Sequence, residues 1–157
     1  MDTTTENFMK MAIAEARKGM NEGNRPYGSV IVKDGRVVAK AHSTGVSTHD
    51  VAAHADMSAA RILSRKAKTR DLKDCTVYAT GEPCPMCSIA LALTHISELV
   101  IAASYTDLPP QMNPGRKRPG KITYKEIFEE YGSKVKVRKG VLREEVIKLY
   151  EEYVKKR

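Results

Sequence analysis

The stretch from residue 75 to residue 104 constrains the fold more than any other part of the chain. It reads CTVYAT, then a cluster of proline and cysteine, then SIALALTH, then ELVIAAS. The two outer runs are short, apolar and partly β-branched, which indicates buried strands, whereas the middle run has the length of a helix. A strand, a helix and a second strand in this order predict a right-handed crossover between parallel strands.

The same alternation extends along the rest of the chain. Asp34-Gly35 is a dipeptide that tight hairpin turns favour, and it joins two β-branched runs. The further predicted elements are, in chain order, the helix ENFMKMAIAEARKGM, the hairpin SVIVKDGRVVAKA, the helix in AAHADMSAAR, the helix TYKEIFEEYG, the short strand KVKVRKG and the helix LREEVIKLYEEYVKK. We therefore predict an α/β fold whose largely parallel sheet is covered by helices on both faces.

Length and composition limit the organisation of the protein. The chain has 157 residues, the size of one domain, so we expect a single domain over residues 1–157. Its 41% hydrophobic and 29% charged residues are typical of a soluble globular protein, without the run of about 18 apolar residues that a membrane span needs. The N-terminal sequence MDTTTENFMK is acidic where a secretory signal is basic, so we expect a cytoplasmic protein.

The net charge of +8 is compatible with a polyanionic partner. The basic residues are nevertheless spread along the chain beside many acids, which favours an ordinary solvated surface. Two concentrations of charge stand out, GRKRPGK at residues 115–121 and KKR at the C-terminus. The first lies in a proline-rich segment, residues 106–121, for which we predict a long loop.

The motif that carries chemistry is EPCPMC at residues 82–87. Cys84 and Cys87 are three residues apart, so their sulfurs share one face of a first helical turn, where the helix dipole favours thiolates. A redox pair of the thioredoxin kind would follow the first strand, and a zinc ribbon would need a second C-x-x-C, whereas only Cys75 remains, a predicted core residue. Two thiolates, one histidine from elsewhere and an open fourth position are typical of a catalytic zinc site.

Four histidines compete for the third ligand position. His42 and His49 lie in or beside a predicted loop, and His95 ends the helix that Cys84 begins, about three turns away. His54 opens a helix that this element order can place beside the Cys84 helix. We therefore predict His54 as the third ligand.

These residues resemble the signature H-x-E and P-C-x-x-C of the zinc-dependent nucleobase and nucleoside deaminases, the cytidine deaminase-like superfamily. This chain has His54-Ala55-Asp56 and Pro83-Cys84-Pro85-Met86-Cys87. The similarity also covers RPYGSVIVKDGRVVAKA, HDVAAHADMSAAR, LKDCTVYATGEPCPMC and KGVLREEVIKLYEEY, about nine-tenths of the chain in all. The guanine, cytosine and tRNA adenosine deaminase types are the most similar. The resemblance implies a three-layer α/β/α fold around a central, mixed and mostly parallel five-stranded sheet.

The resemblance also implies a cofactor and a reaction. Zn²⁺ would be held by His54, Cys84 and Cys87, and would activate a water that attacks the amino-bearing carbon of a heterocycle, so that ammonia leaves. Asp56 would carry the water proton to the ring and to the departing amine. The backbone amide near Cys84 would help to hold the attacking oxygen.

Asp56 departs from the family pattern, which has glutamate at this position. Aspartate is one methylene shorter, so on a fixed backbone its carboxylate lies about 1.5 Å short. A misplacement of about 1 Å can cost about 100-fold in rate. The open interpretations are a backbone shifted toward the shorter acid, a weakened enzyme, a zinc protein without turnover, or an acid that only complements the helix dipole.

Ser43 departs as well, because the family usually has an asparagine there that binds the substrate ring. A hydroxyl lacks the paired hydrogen bonds of an amide. The neighbouring His42 and Asn24 are the candidates to replace it.

The segments PYG at residues 26–28 and AASYTD at residues 102–107 resemble those of guanine and small-nucleobase deaminases. Tyr27 is equally consistent with a base-stacking residue and with a half-buried strand residue. The expected substrate contacts are Tyr27, Ser43, His42, Tyr105 and Asp107.

We therefore expect hydrolytic deamination of an amino-substituted purine or pyrimidine, as the free base or the nucleoside. The first alternative is the wobble adenosine of tRNA, which the net charge and the segment GRKRPGK favour. The second is a non-catalytic zinc-fold protein that binds nucleic acid or a partner subunit, which Asp56 favours. The resemblance further implies a homodimer.

Overall fold

The structure, a computed structural model, describes residues 3–112 and 122–157. The basic segment at residues 115–121, and with it part of the predicted loop, therefore lies outside the described residues. The helices and strands are α1 (Thr3–Asn21), β1 (Gly28–Lys33), β2 (Arg36–His42), α2 (Ala55–Ala67), β3 (Cys75–Gly81), α3 (Pro85–Leu93), β4 (Glu98–Ala103), α4 (Tyr124–Glu130), β5 (Lys136–Lys139) and α5 (Arg143–Lys155). Two short 3₁₀ turns, Tyr105–Asp107 and Pro110–Met112, follow β4.

The five strands form one mixed sheet in the order β2-β1-β3-β4-β5. The α/β fold with a mixed five-stranded sheet is thus confirmed. Parallel pairing is confined to β3, β4 and β5, because β1 pairs antiparallel with both β2 and β3. Within the described residues four of the five strands nevertheless run in the same direction and only β1 runs oppositely, so the mixed, mostly parallel sheet is confirmed. Strands β2 and β3 do run in the same direction, as a helical crossover requires, but β1 lies between them.

Successive side chains along a strand point to opposite faces of the sheet, and apolar residues occupy both faces here. Val77, Leu99 and Ile101 point into one core, which α2, α3 and α4 cover. Tyr78 and Val100 point into a second core, which α1 and α5 cover. The three-layer α/β/α arrangement is thus confirmed. None of the helices in the described ranges is long and apolar enough to cross a membrane.

Helix α1 lies directly on the backbone of β1, and Gly28 makes this contact possible. A Cβ atom at residue 28 would overlap the carbonyl oxygen of Ala12 and lie 2.6 Å from the backbone nitrogen of Ala16. Both of these groups belong to rigid helix backbone, so neither can move aside cheaply. The first residue of β1 must therefore be glycine for α1 to pack at this distance.

We expect Gly28→Ala to lower the free energy of unfolding by about 3 kcal/mol, because the helix must move away from the sheet. The measurement is the urea unfolding midpoint followed by circular dichroism. Gly132→Ala is the control, because a Cβ there meets nothing within 4 Å although φ is +63°, so only a backbone cost of about 1 kcal/mol applies. Equal losses for the two variants would contradict the close α1–β1 packing.

Candidate active site

Two helices begin side by side at one edge of the sheet, and each begins with a candidate ligand. His54 is the N-cap of α2, with extended backbone (φ −79°, ψ 153°), and Cys84 is the N-cap of α3 (φ −68°, ψ 167°). Their carbonyl oxygens accept the first helical hydrogen bonds, from the backbone nitrogens of Ser58 at 2.9 Å and Ser88 at 2.8 Å. Neither side chain caps its own helix. Both side chains are thus available to meet each other.

The ligand atoms of His54, Cys84 and Cys87 converge. Nδ1 of His54 lies 3.4 Å from Sγ of Cys84 and 3.7 Å from Sγ of Cys87, and all three atoms lie within 4.8 Å of one another. Tetrahedral zinc with ordinary Zn–S and Zn–N bonds places such atoms about 3.5 Å apart. One imidazole and two thiols at these distances are therefore positioned to bind a zinc ion, with a fourth position open for a further ligand.

The charges at the three side chains are coupled. The Cys87 thiol and the His54 ring hydrogen-bond the Cys84 sulfur and lower its pKa, and the same contact raises the pKa of Cys87. The Cys84 sulfur in turn raises the pKa of His54. One thiolate is thus favoured even without a metal, and the positive ends of two helix dipoles add to this preference. A divalent cation would replace the proton that the two sulfurs share.

Asp56 lies in the first turn of α2 and is buried at 8% exposure. Burial raises its pKa to about 7, although the Ser29 hydroxyl and the His54 ring act in the opposite direction. The Ser29 hydroxyl nevertheless forms no hydrogen bond with Asp56. Oγ of Ser29 and Oδ1 of Asp56 are both buried without a hydrogen-bond partner in the described residues. A carboxyl that titrates near neutral pH, with an unengaged oxygen, is suited to accept and return a proton.

The zinc ligands and Asp56 line a cavity of about 580 Å³, a volume typical of small-molecule sites. Three of the expected substrate contacts line it together with the zinc ligands and Asp56, namely Tyr27, Ser43 and Tyr105. Their contact with a substrate stays a prediction. Further lining residues come from the turns after β3 and β4, and include Glu82, Ser104, Leu108 and Met112.

His42 is directed away from the cavity and bridges two carboxylates. Its Nδ1 lies 3.0 Å from Glu15 and its Nε2 lies 2.8 Å from Glu22. Lys40 forms an ion pair with Glu15, at 3.1 Å. His42 is therefore not among the residues that line the cavity, and it joins the end of β2 to α1 instead.

Asp107 and Asn24 also lie outside the cavity lining. Asp107 forms an ion pair with Arg143 at 2.6 Å and accepts a hydrogen bond from the backbone nitrogen of Ser104, so it fastens the turn after β4 to the start of α5. Asn24 is fully buried, and its Oδ1 accepts from the backbone nitrogen of Ser47 at 2.9 Å. The replacement of the family asparagine at Ser43 by His42 or Asn24 stays a prediction, and neither of these two residues is among the described residues that line the cavity.

Tyr150 of α5 lines the cavity, although no pattern in the sequence indicates it. It is fully buried, its hydroxyl donates to the carbonyl oxygen of Thr80 at 3.3 Å, and its ring meets the ring of Tyr27 edge-on. Gly81 leaves room for this pair, since a Cβ there would lie 2.9 Å from the Tyr150 oxygen and 3.0 Å from the Tyr27 ring. In the sequence Tyr150 is one more apolar position of an amphipathic helix.

Comparison with known proteins agrees with this site. Residues 2–103 match the family described as the cytidine and deoxycytidylate deaminase zinc-binding region. The chain is 40% identical over 98 residues to a tRNA-specific adenosine deaminase of Aquifex aeolicus, and 37% identical over 103 residues to a guanine deaminase of Bacillus subtilis. These matches cover 62% and 65% of this chain, and 65% and 66% of the two relatives, just under two thirds of their length.

A solved structure is similar over nearly the whole chain. It comes from a study of A-to-I editing by tRNA:A34 deaminases at the wobble position of transfer RNA. The TM-score is 0.75 at 28% identity, and the similarity covers 91% of this chain and 98% of that one. The fold of this chain thus has a close counterpart in that protein.

We expect the purified chain to hold about one zinc ion, and Cys84→Ala to lose it, because two ligands alone bind zinc weakly. The measurement is elemental analysis after dialysis against metal-free buffer. Cys75→Ala is the matched control, since Cys75 is a buried thiol at the start of β3, outside the ligand group. Retention of zinc by Cys84→Ala, or its loss from Cys75→Ala, would contradict the assignment.

Proposed function

Since the chain belongs to the cytidine and deoxycytidylate deaminase zinc-binding family, we propose that it is a zinc-dependent hydrolytic deaminase. Its substrate would be an amino-substituted purine or pyrimidine base or nucleoside, and ammonia would be released. The observation that carries the proposal is the convergence of His54, Cys84 and Cys87 at zinc-binding distances, with the buried carboxyl of Asp56 in the same cavity.

The side chains divide the work of the reaction. Zinc held by the three ligands would supply Lewis-acid chemistry, lowering the pKa of a water molecule and so providing a nucleophile at neutral pH. Asp56 would accept the first proton from that water and deliver it to the ring nitrogen next to the amino-bearing carbon. It would then take the second proton from the hydroxyl now on that carbon and pass it to the amine, so that the carbonyl forms as the C–N bond breaks and ammonia leaves. A pKa of about 7 suits both directions of transfer.

Other cavity residues would hold the substrate in place. Tyr27 offers an aromatic ring beside the ligand helices, and Ser43 offers one hydroxyl to the base. Tyr105 stands on the turn after β4, across the cavity. The backbone N–H of Cys84, at an N-cap and so outside the helical hydrogen-bond pattern, is the group proposed to hold the attacking oxygen.

The surroundings of Asp56 support a catalytic role over a purely structural one. A carboxyl that only complements a helix dipole is normally solvated or hydrogen-bonded to the first turn. Asp56 instead keeps a buried oxygen without a partner in the described part of the chain, which is a costly arrangement. We propose that its shorter side chain slows the proton transfers without abolishing them.

The wobble adenosine of tRNA is the second candidate substrate, and two observations favour it. A relative at 40% identity is named a tRNA-specific adenosine deaminase. In addition, the second half of α2 and the loop after it expose six cations, which could contact phosphates. These are Arg61, Arg65, Lys66, Lys68, Arg70 and Lys73.

We propose further that residues 1–157 act as one domain, that the chain is a homodimer, and that it is cytoplasmic. One sheet carries both hydrophobic cores, which supports the single domain. Leu93 at the end of α3 is 57% exposed and Ile62 on α2 is 47% exposed, and such apolar residues on the ligand helices are suited to a subunit contact. The three unpaired cysteines suit a reducing compartment.

The proposal is tested by ammonia release from a panel of substrates: guanine, guanosine, cytosine, cytidine, adenine and adenosine, with inosine formation in tRNA as a separate assay. We expect zinc-dependent turnover of at least one. Asp56→Asn should lower it by about 100-fold or more while zinc is retained, because a positioned acid-base group contributes about that much. Asp56→Glu should raise it, since the longer acid restores the reach.

Asp34→Asn is the matched control, because Asp34 is exposed at the tip of the β1–β2 hairpin, and it should leave turnover unchanged. Inosine in tRNA without turnover of any free base or nucleoside would establish the second candidate. A zinc-loaded chain that is inactive on the whole panel, and becomes active only as Asp56→Glu, would show a zinc protein without turnover.

A further inference from the structure

Arg25 is the one cation among the described lining residues of the cavity that is left without a role in the proposed mechanism. It lies in the turn between α1 and β1, and it is exposed at the mouth of the cavity that holds the zinc ligands. No ion pair in the described residues engages it. A guanidinium that faces a binding cavity without a carboxylate partner is available to an anionic ligand.

The acidic residues in the described lining of the cavity, Glu82 and Asp56, do not pair with Arg25. Glu82 is already engaged, by the backbone nitrogen of Tyr105 at 3.3 Å and the ammonium of Lys139 at 3.7 Å. Asp56 is buried in the first turn of α2, beside the ligands. The Arg25 guanidinium at the mouth of the cavity is therefore available to form an ion pair with an anionic ligand.

The backbone of Arg25 is held firmly although its side chain is exposed. The backbone nitrogen of Asn24 donates to Gly19 at 2.9 Å, and the backbone nitrogen of Tyr27 donates to the carbonyl oxygen of Arg25 at 2.9 Å. The buried amide of Asn24 also receives the backbone nitrogen of Ser47. Arg25 thus projects from a fixed turn, which lowers the entropy cost of presenting its guanidinium to a ligand.

Arg25 is also close to the proposed base-stacking residue. Burial raises the pKa of Tyr27 to about 12, and the charge of Arg25 opposes that rise. A cavity of about 580 Å³ has room for a sugar and a phosphate beside a base, because it lies well inside the range of sites for ligands larger than a base, about 300–1,000 Å³. An anionic group attached to the base through a sugar could therefore reach Arg25.

We infer that Arg25 binds a phosphate group of the substrate, so that the preferred substrate is a nucleoside phosphate rather than a free base or nucleoside. The phosphate could belong to a mononucleotide or to the backbone of an RNA chain, and both present the same chemistry to a guanidinium. This inference rests on the proposed function, since it identifies the substrate class of the same cavity.

The test measures binding as well as turnover, so that it does not depend on the speed of the reaction. The zinc-loaded full-length chain is titrated calorimetrically with guanosine and guanosine 5′-monophosphate, adenosine and adenosine 5′-monophosphate, and cytidine and cytidine 5′-monophosphate. In at least one pair we expect the phosphate to tighten binding by about 10- to 100-fold, the usual contribution of hydrogen bonds to a charged group. Arg25→Gln should remove that gain and leave nucleoside binding unchanged.

Arg36→Gln is the matched control, because Arg36 is also an exposed arginine and lies at the far end of the β1–β2 hairpin, where it is the strand partner of Lys33. It should keep the full gain from the phosphate. The inference is overturned if the phosphate adds no affinity in any pair and none in the RNA arm below, or if Arg25→Gln weakens nucleosides and their phosphates equally. Equal weakening would show that Arg25 only supports the turn.

An RNA arm separates the two sources of phosphate. A single-stranded RNA that binds more weakly in Arg25→Gln than in Arg36→Gln, while mononucleotides do not, would assign Arg25 to a backbone phosphate. The opposite pattern would assign it to a mononucleotide. Ammonia or inosine formation is recorded in the same samples, so Arg25-dependent binding without turnover would count against the proposed deaminase and not against the phosphate site.

Discussion

The site depends on two helices that begin at the same place. His54 and Cys84 are N-caps, so the position of each ligand is set by where its helix starts, and those starts are set by the sheet beneath. β3 leads through a short turn into α3, while α2 packs on β1 and β2 and brings its first turn alongside. Because His54 lies at the start of α2 and both cysteines lie at the start of α3, a shift of either helix would separate the His54 nitrogen from the two sulfurs.

The titratable groups fall into two zones. The inner zone holds the zinc ligands and Asp56, and the outer zone holds the charged side chains around the cavity. In the inner zone, the helix N-termini favour the thiolate form of Cys84, and burial favours the protonated form of Asp56. Asp56 can therefore exchange a proton with a bound water or substrate near neutral pH. In the outer zone, several titratable side chains pair with one another and fasten turns and helices together, as His42 does by a hydrogen bond to Glu15 and Asp107 does by an ion pair with Arg143. Arg25 differs from these because it faces the cavity without such a partner among the described residues.

The sequence was sufficient for the parts that depend on local pattern. Short apolar, β-branched runs located the strands, and the C-x-x-C spacing with an α/β order was enough to select His54 among four histidines. It could not show that β1 inserts between β2 and β3, because pairing order is decided by contacts far apart in the chain. It likewise could not show that His42 and Asp107 lie outside the cavity lining, since one residue along a strand or turn decides which way a side chain faces. Their contact with a substrate stays a prediction. Tyr150 and Arg25 reach the cavity only through tertiary packing.

The central claim is that His54, Cys84 and Cys87 hold a zinc ion whose chemistry, with Asp56, removes an amino group. The most direct measurement titrates the metal-free chain with zinc while ammonia release, or inosine formation in tRNA, is followed on the best substrate. We expect turnover to rise in proportion to zinc and to level off at about one ion per chain. Saturation with zinc at about one ion per chain, without any release of ammonia or formation of inosine, would contradict it.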